Sequence, residues 1–401
     1  MTRIAYLSPA MPALSETFVY EELLALERTG VAVEPFSVRQ PAKPVPAQQA
    51  LAQRVTHLYA GGPLQVVLSG LTDMPWLLAG WRKAAAWLLA DMLQCRPWRL
   101  KTWKLAYQFV AAATLAKHLR QRGCTHLHVH FAHVPTQIAM YASAMAGVPF
   151  TVMAHANDIF EEGLLLPQKA ARAKRMLTIS DYNRRYLLSL GIPEQQLAVV
   201  RCGVSFAARP PVEHDADGPY KLASLGRMVE KKGFDVLINA VALLRQQGMD
   251  VSLSLAGDGP LLADMQALVQ RLQLQEHVQF VGSLPHHAVA DWMREHHAFV
   301  LACKQDSHGD MDGIPVVLME AMSQGVPVVS TRLSGIPELV VHEQTGLLAE
   351  PNDAASLATQ IARLISGAAM GHGLVAHAQE HVKQEFGQAS NINRLIQQIS
   401  A

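Results

Sequence analysis

Residues 309–330, GDMDGIPVVLMEAMSQGVPVVS, carry two carboxylates, Asp312 and Glu320, on either side of a Gly, a Pro and a run of apolar side chains. Acids so placed have three uses: an acid/base pair, two binding hooks, or a helix cap followed by a solvated helix residue. Gly313 and Pro315 mark a helix start and Gly325 a stop, so a helix is predicted over 314–324. Eight helical steps put the two acids about 12 Å apart along the axis and about 80° apart around it. That is too far to share a proton and long for a retaining carboxylate pair, which sits about 5 Å apart. It suits two hooks on one elongated ligand. The cap reading of Asp312 stays open.

Upstream, LGRMVEKKGFDVLI places Arg227 at the carboxyl end of a predicted strand and Lys232 five residues later, before a helix. Two cations at such a turn, with free helix N–H groups, make an anion site. Arg forks two phosphate oxygens, and Lys acts as a point charge. The bland alternative is a solvated loop. No Walker loop and no GxGxxG occurs, so P-loop and nicotinamide recognition are excluded. AGDGP at 256–260 reads as a strand-to-helix turn with Pro260 near the first helical position. HLHVHFAH puts His126, His128 and His130 on one strand face with His133 beyond. That is either a metal tract or a strand end lining a cleft, and no metal is expected.

The elements that would position these groups follow from the rest of the chain. At 401 residues, half of them apolar and 17% charged, it suggests two domains with their own cores. The formal net charge of +1 gives no global attraction for nucleic acid. Four scattered cysteines suggest a reducing compartment and no zinc framework. The N-terminal residues are not expected to form a signal peptide, no run is long enough to span a membrane, and a cytoplasmic location is expected.

A strand over residues 4–7 leads to a helix that Ser15 would cap, with Phe18, Leu23 and Leu26 on one face. Strand–helix alternation continues to about residue 205. Residues 206–219, FAARPPVEHDADGP, lose the apolar period and read as a linker. The alternation restarts at 220 and runs to 385, and 386–401 is predicted to hold a last helix packing back on the N-terminal body. Two open α/β halves bind ligands at the carboxyl ends of their strands, with a cleft expected between the domains.

The sequence then becomes specific. LGRMVEKKG, AGDGP, DGIPVVLMEAMSQGVPVVSTRLSGIPELV and TGLL resemble the retaining glycosyltransferases of family 4 in order and approximate spacing. SETFVYEELLAL, HVHFAH, FTVMAHANDIF, ISDYNRRYL and VVRCGVS resemble the branch that builds bacterial exopolysaccharides, including the colanic acid type. The resemblance is weakest over 40–120.

It implies a GT-B fold, in which two Rossmann-like doubly wound domains, 1–205 and 220–385, face each other across a cleft. It implies that Arg227 and Lys232 bind the donor diphosphate and stabilise the leaving group. Glu320 would accept from the ribose hydroxyls. Asp312 matches the first acid of the E-x7-E pattern, near the transferred sugar, but is one methylene shorter than the usual Glu. Backbone N–H groups over Gly313, Ile314, Pro315 and Val316 would face sugar and phosphate. His155 would lie near the transferred sugar. Residues 281–284, with Gly282, Ser283 and Leu284, would lie beside the base, and Ser15, Glu16 and Thr17 would border the acceptor. Ser205 replaces an Asp usual in relatives, and the first loop lacks their double Gly.

The implied reaction is metal-independent, retaining transfer from a UDP- or GDP-linked sugar, with no resident cofactor. The acceptor would be a lipid-linked saccharide. Charge developing on the diphosphate makes the cations more valuable in the transition state than in the ground state. The competing readings are an epimerase or phosphorylase on the same fold, and a non-catalytic saccharide or nucleotide binder.

Residues 76–120 hold five of the six tryptophans (Trp76, Trp81, Trp87, Trp98 and Trp103) and eight basic residues against one acid, Asp91. This composition fits an interfacial membrane patch, and the resemblance, through its lipid-linked acceptors, implies contact with the inner face of the cytoplasmic membrane. The alternative is a helical insertion with its Trp buried.

Overall fold

The computed structural model describes residues 3–13, 16–41, 46–74, 78–95, 100–161, 163–205, 208–212 and 218–400. The predicted cap Ser15, Trp76, Trp98 and half of the linker lie outside them. The chain divides into two units. Met1–Ile179, Asn183–Arg201 and Asn391–Ala401 form the first; Ser180–Tyr182 and Cys202–Ser390 form the second. Residues 391–401 therefore cluster with the N-terminal body, and the second unit takes in the linker, running from Cys202 to Ser390.

The first unit contains, in chain order, β1 (Arg3–Ala10), α1 (Thr17–Arg28), β2 (Ala32–Arg39), the short α2 (Gln49–Ala52) and β3 (Thr56–His57). Three long helices follow: α3 (Pro63–Asp73), α4 (Leu78–Gln94) and α5 (Leu100–Gln121). Then come β4 (His126–His130), α6 (Val134–Ala146), β5 (Phe150–Ala154), α7 (Ala156–Phe160), α8 (Leu166–Arg172), β6 (Arg175–Thr178), α9 (Asp181–Ser189) and β7 (Leu197–Val199). The strands form one parallel sheet in the order β3-β2-β1-β4-β5-β6-β7.

β1 is longer than the predicted 4–7, because its pairing with β2 continues to Ala10 opposite Arg39. α1 begins at Thr17 with Glu16 in the cap position, and Leu23 and Leu26 are buried while Phe18 is half-buried. A parallel sheet covered on both faces needs strands that are apolar throughout. Phe150–Ala154 obeys this directly. His126–His130 is buried at all five positions despite three histidines.

The second unit contains β8 (Tyr220–Leu225), α10 (Phe234–Gln246), β9 (Val251–Ala256), α11 (Leu262–Arg271), β10 (Val278–Gly282), α12 (His286–Arg294) and β11 (Ala298–Val300). It continues with α13 (Val316–Ser323), β12 (Val328–Thr331), α14 (Ile336–Leu339), β13 (Leu347–Ala349), α15 (Ala354–Ser366), α16 (Ala368–Glu385) and the start of α17 (Gln388–Ser400). Its parallel sheet runs β10-β9-β8-β11-β12-β13. Separate apolar clusters cover it, one holding Leu237, Val241 and Ile361, the other Leu318, Met322 and Val382.

In each unit the strand order reverses beside the first strand, between β1 and β4 and between β8 and β11. At such a switch point the loops leave in opposite directions and open a crevice at the carboxyl ends of the strands. The loops after β8 and β11 carry the Arg–Lys turn and the paired acids.

Candidate active site

β8 ends at Leu225, and the chain turns through Gly226, Arg227 and a single 3-10 turn, Glu230–Lys232, into α10. Gly233 joins turn to helix at φ +65°, and a Cβ there would lie 1.8 Å from the Ala302 carbonyl oxygen. Only glycine fits that left-handed position against β11's exit. The neighbouring AGDGP turn locks onto the same loop. Met228 N–H donates to Asp258 O (2.9 Å), and Leu261 N–H donates to Met228 O (3.1 Å). Leu261 caps α11, so Pro260 lies just before the cap and not inside the helix.

Arg227 is exposed, and no carboxylate among the described residues pairs with it. Lys232 is tied down. Its Nζ lies 2.6 Å from Asp312 Oδ2, with side chains 17% and 13% exposed. Lys231 Nζ reaches Asp310 Oδ2 at 2.7 Å and Asp312 Oδ1 at 3.6 Å. Burial alone would push the Asp312 carboxyl up, but Lys232 and Lys231 outweigh it and hold it below the usual range. Burial likewise opposes the Lys232 ammonium, and Asp312 more than restores it. Cys303 Sγ lies 3.5 Å from Asp312 Oδ2. Burial, with Asp312 adding to it, pushes this thiol well above its ordinary value. Lys232 is therefore a charged group at the switch point, held by one carboxylate.

These contacts correct the reading of the opening segment. α13 begins at Val316, behind Pro315 in the cap position with φ −65° and ψ 122°, two residues later than predicted. Residues 312–315 are not helical, so the 12 Å axial estimate does not apply. Asp312 is no helix cap; its side chain serves the lysines. Gly325 does stop the helix, at φ +76°. Of the four positions 313–316, Pro315 has no N–H to offer, and the Ile314 side chain packs in the core. Glu320, on α13, is partly exposed, with His286 Nε2 3.9 Å from Oε1. Burial raises its carboxyl and His286 opposes that. Gly282 ends β10, followed by exposed Ser283 and half-buried Leu284.

The first unit brings a second set of groups to its own switch point. His155 caps α7 at the end of β5, and its N–H donates to Asp158 Oδ1 (2.7 Å). Its ring is 6% exposed, between Phe18 and Phe131 at 5.1 and 4.5 Å. Burial and then His130 lower its pKa well below the ordinary histidine value. Glu16, beside Thr17 at the start of α1, has a buried Oε2 without a hydrogen-bond partner among the described residues. Burial raises its carboxyl to about 7.

Three of the four histidines of the tract are sealed in the core, while His133, in the cap position of α6, is half-buried. His126, His128 and His130 are 3%, 0% and 1% exposed. His126 and His128 both contact Thr151 Oγ1, at 3.0 and 2.8 Å. Glu22, His128 and His130 hold their donor atoms within 4.8 Å of one another, the one grouping among the described residues with the make-up of a metal site.

The family model for Glycosyl transferases group 1 matches residues 208–381, and that for Glycosyltransferase Family 4 matches residues 15–207. The chain belongs to glycosyltransferase family 4. Its exopolysaccharide branch is marked by relatives. The putative colanic acid biosynthesis glycosyltransferase WcaL of Salmonella typhimurium is 38% identical over 230 residues, 56% of each chain. The amylovoran biosynthesis glycosyltransferase AmsK of Erwinia amylovora is 36% identical over 241 residues, 58% of this chain and 59% of that one. The chain thus spans about half the length of the curated relatives it matches. Among solved structures, Anabaena Alr3699/HepE in complex with UDP superposes with a TM-score of 0.73 at 17% identity over all of both chains. The apo lipopolysaccharide outer core galactosyltransferase WaaB superposes with 0.71 at 17% identity, over all of this chain and 99% of that one. At that identity they speak for the fold: this family 4 member is built of two Rossmann-like domains.

Several residues of the family 4 chain escaped the sequence reading. Lys231 was one cation in a KK pair, and nothing marked it as the partner of Asp310. Glu22 sits in a helical run, FVYEELLAL, where an acid looks solvated; its spacing from Val19, Leu23 and Leu26 was the one signal that it faces inward. Cys303 was an isolated thiol.

Proposed function

We propose that this chain is a retaining, metal-independent glycosyltransferase that moves a sugar from a UDP- or GDP-linked donor to a growing saccharide of a bacterial exopolysaccharide. The observation that carries the reading is the constellation at the β8/β11 switch point: free Arg227, charge-held Lys232, Asp312, and Glu320 on the following helix. Arg227 and Lys232 bind the diphosphate and offset the charge that grows on it as the glycosidic bond breaks, which is chemistry otherwise assigned to a metal. Lys232 exchanges Asp312 for phosphate when donor arrives, and Asp312 is released toward the sugar hydroxyls. Glu320 holds the ribose, residues 282–284 flank the base, and the amides of 313, 314 and 316 serve sugar and phosphate. His155 serves the transferred sugar, and Glu16 and Thr17 the acceptor. The UDP and UDP-glucose complexes of Alr3699/HepE support a nucleotide-sugar donor.

A thermal-shift panel of UDP- and GDP-sugars tests this. Saturation at about 100 Kd adds about 2.7 kcal/mol to the unit that binds, so one base and one sugar should raise the melting temperature beyond the free diphosphate. No shift with any nucleotide or nucleotide sugar would overturn the reading. Donor turnover without acceptor would favour an epimerase, and sugar phosphate formed with added phosphate would favour a phosphorylase.

We also propose that the acceptor is lipid-linked and that the enzyme works as a peripheral protein on the inner face of the cytoplasmic membrane. No described helix is long and apolar enough to cross a membrane. The neighbouring helices α3, α4 and α5 instead expose large apolar side chains: Leu64 (73%), Leu68 (55%), Leu89 (62%), Leu93 (65%) and Trp103 (60%). The two acids on these helices are buried and neutralised, Asp73 by Lys117 at 2.7 Å and Asp91 by Arg172 at 2.6 Å. The charge they expose is basic, at Arg82, Lys83 and Lys104. Exposed leucines and Trp beside uncompensated cations fit an anionic lipid surface. Of the tryptophans expected there, Trp87 instead packs inward under Arg172, 4.7 Å from its ring. The protein should float with phosphatidylglycerol vesicles at low salt, and Leu68→Glu with Leu93→Glu should abolish flotation while leaving the melting temperature within about 2 °C. Wild-type protein that stays at the bottom would remove the membrane role.

A further inference from the structure

Behind His155 runs a chain of buried polar groups that donor binding does not use. His155 Nε2 lies 3.2 Å from His130 Nδ1. His130 Nε2 lies 2.9 Å from Glu22 Oε1 and 2.6 Å from the Tyr6 hydroxyl. That hydroxyl also reaches Val19 O (2.9 Å) and Glu22 Oε1 (3.0 Å). Tyr6, His130 and His155 are buried, and the Glu22 side chain is 13% exposed. The groups come from β1, α1, β4 and the β5–α7 junction.

The protons can be placed by elimination. An ionised carboxylate only accepts, so a 2.9 Å contact with Glu22 demands a proton on His130 Nε2. The Tyr6 hydroxyl has two oxygen acceptors within reach for its single proton, which leaves a lone pair facing the same N–H. At the contact between His130 Nδ1 and His155 Nε2 one nitrogen carries the proton and the other is bare, and the far side of the His155 ring decides which. Its side chain takes the N–H of Asp158 at the first turn of α7, while the Asp158 carboxylate takes the N–H of His155. Accepting a backbone N–H requires a bare Nδ1. His155 Nε2 then carries the proton and donates to a bare His130 Nδ1, so one tautomer, Nε2–H, runs through both rings to Glu22.

We propose that Glu22 and His130 are positioning residues that fix His155 as the neutral Nε2–H tautomer in a single ring orientation. The proposal rests on His155 serving the transferred sugar; Glu22 and His130 act through it. A ring clamped at both nitrogens presents one fixed dipole to a sugar hydroxyl, and its neutrality avoids placing a cation beside a carbon that becomes positive in the transition state.

Long-range ¹H–¹⁵N spectra of the histidine rings test the proton assignment directly. Wild-type protein should show His130 and His155 as single Nε2–H tautomers. Glu22→Gln should mix the His130 tautomers and lower turnover at saturating donor by about tenfold to a hundredfold, the scale of a misplaced group, with the donor dissociation constant changed less than about twofold. Unmixed tautomers in Glu22→Gln, or unchanged turnover with a lower melting temperature, would make Glu22 merely structural and overturn the proposal. So would one equivalent of zinc in the purified enzyme, bound through Glu22, His128 and His130, because the metal would then occupy His130 Nε2. His155→Ala separates the underlying reading: if turnover survives that change, His155 does not serve the sugar, whereas the spectra still decide its tautomer.

Discussion

Lys232→Ala is expected to lower the turnover of glycosyl transfer by about 10²–10³-fold, the usual cost of removing one fixed donor to a developing charge. The fold should survive. Asp312 loses its partner at 2.6 Å but keeps Lys231 at 3.6 Å and Cys303 at 3.5 Å. The companion Asp312→Asn removes the tether without removing the cation. It should cost less turnover than Lys232→Ala and leave the melting temperature nearly unchanged, since α13 does not depend on Asp312 for a cap. The double variant should fall short of the product of the two single losses, because both act on one contact. Steady-state kinetics against donor, with circular dichroism for the fold, measure all three. Turnover within threefold of wild type for Lys232→Ala would remove the lysine from the mechanism.

The second large effect is structural. Gly233→Ala should destabilise the second unit by about 2–4 kcal/mol, through a left-handed backbone that a Cβ resists and a clash that rigid backbone cannot relieve. The obstacle is the Ala302 carbonyl at 1.8 Å, on the chain leaving β11. The loop must move away, and Lys232 moves with it. For a unit of this size the melting temperature should fall by about 6–12 °C, and donor binding should weaken together with stability. An unchanged melting temperature would mean that the turn between Lys232 and α10 takes another path.

Much of this architecture was legible because parallel α/β units write themselves as alternating periods. FTVMA is a strand with both faces buried, VSLSLA one whose serines face a half-buried side, and the helices between strands carry one apolar stripe. The strand-to-helix turn that carries Arg227 and Lys232 was legible because an apolar strand ends just before it and a helical period starts just after it. What failed depended on partners far along the chain. The cap alternative for Asp312 stayed open because residue types that cap helices also pair with lysine, and its partner is 80 positions away. Glu22 pairs with His130 across 108 positions. The start of α13 was misplaced because the φ of proline suits the position before a helix as well as its first residue.

The contact between the turns after β8 and β9 carries one more consequence. A side chain at Gly257 would meet Gly226 O at 2.0 Å, and one at Gly259 would meet the Met228 amide and carbonyl at 2.6–2.9 Å. These backbones touch with nothing between them, so neither turn can be enlarged or shifted alone. If the proposed function holds, divergence in donor choice is channelled elsewhere, toward exposed positions such as Ser283. A library built to change the donor should leave the glycines untouched and spend its diversity there.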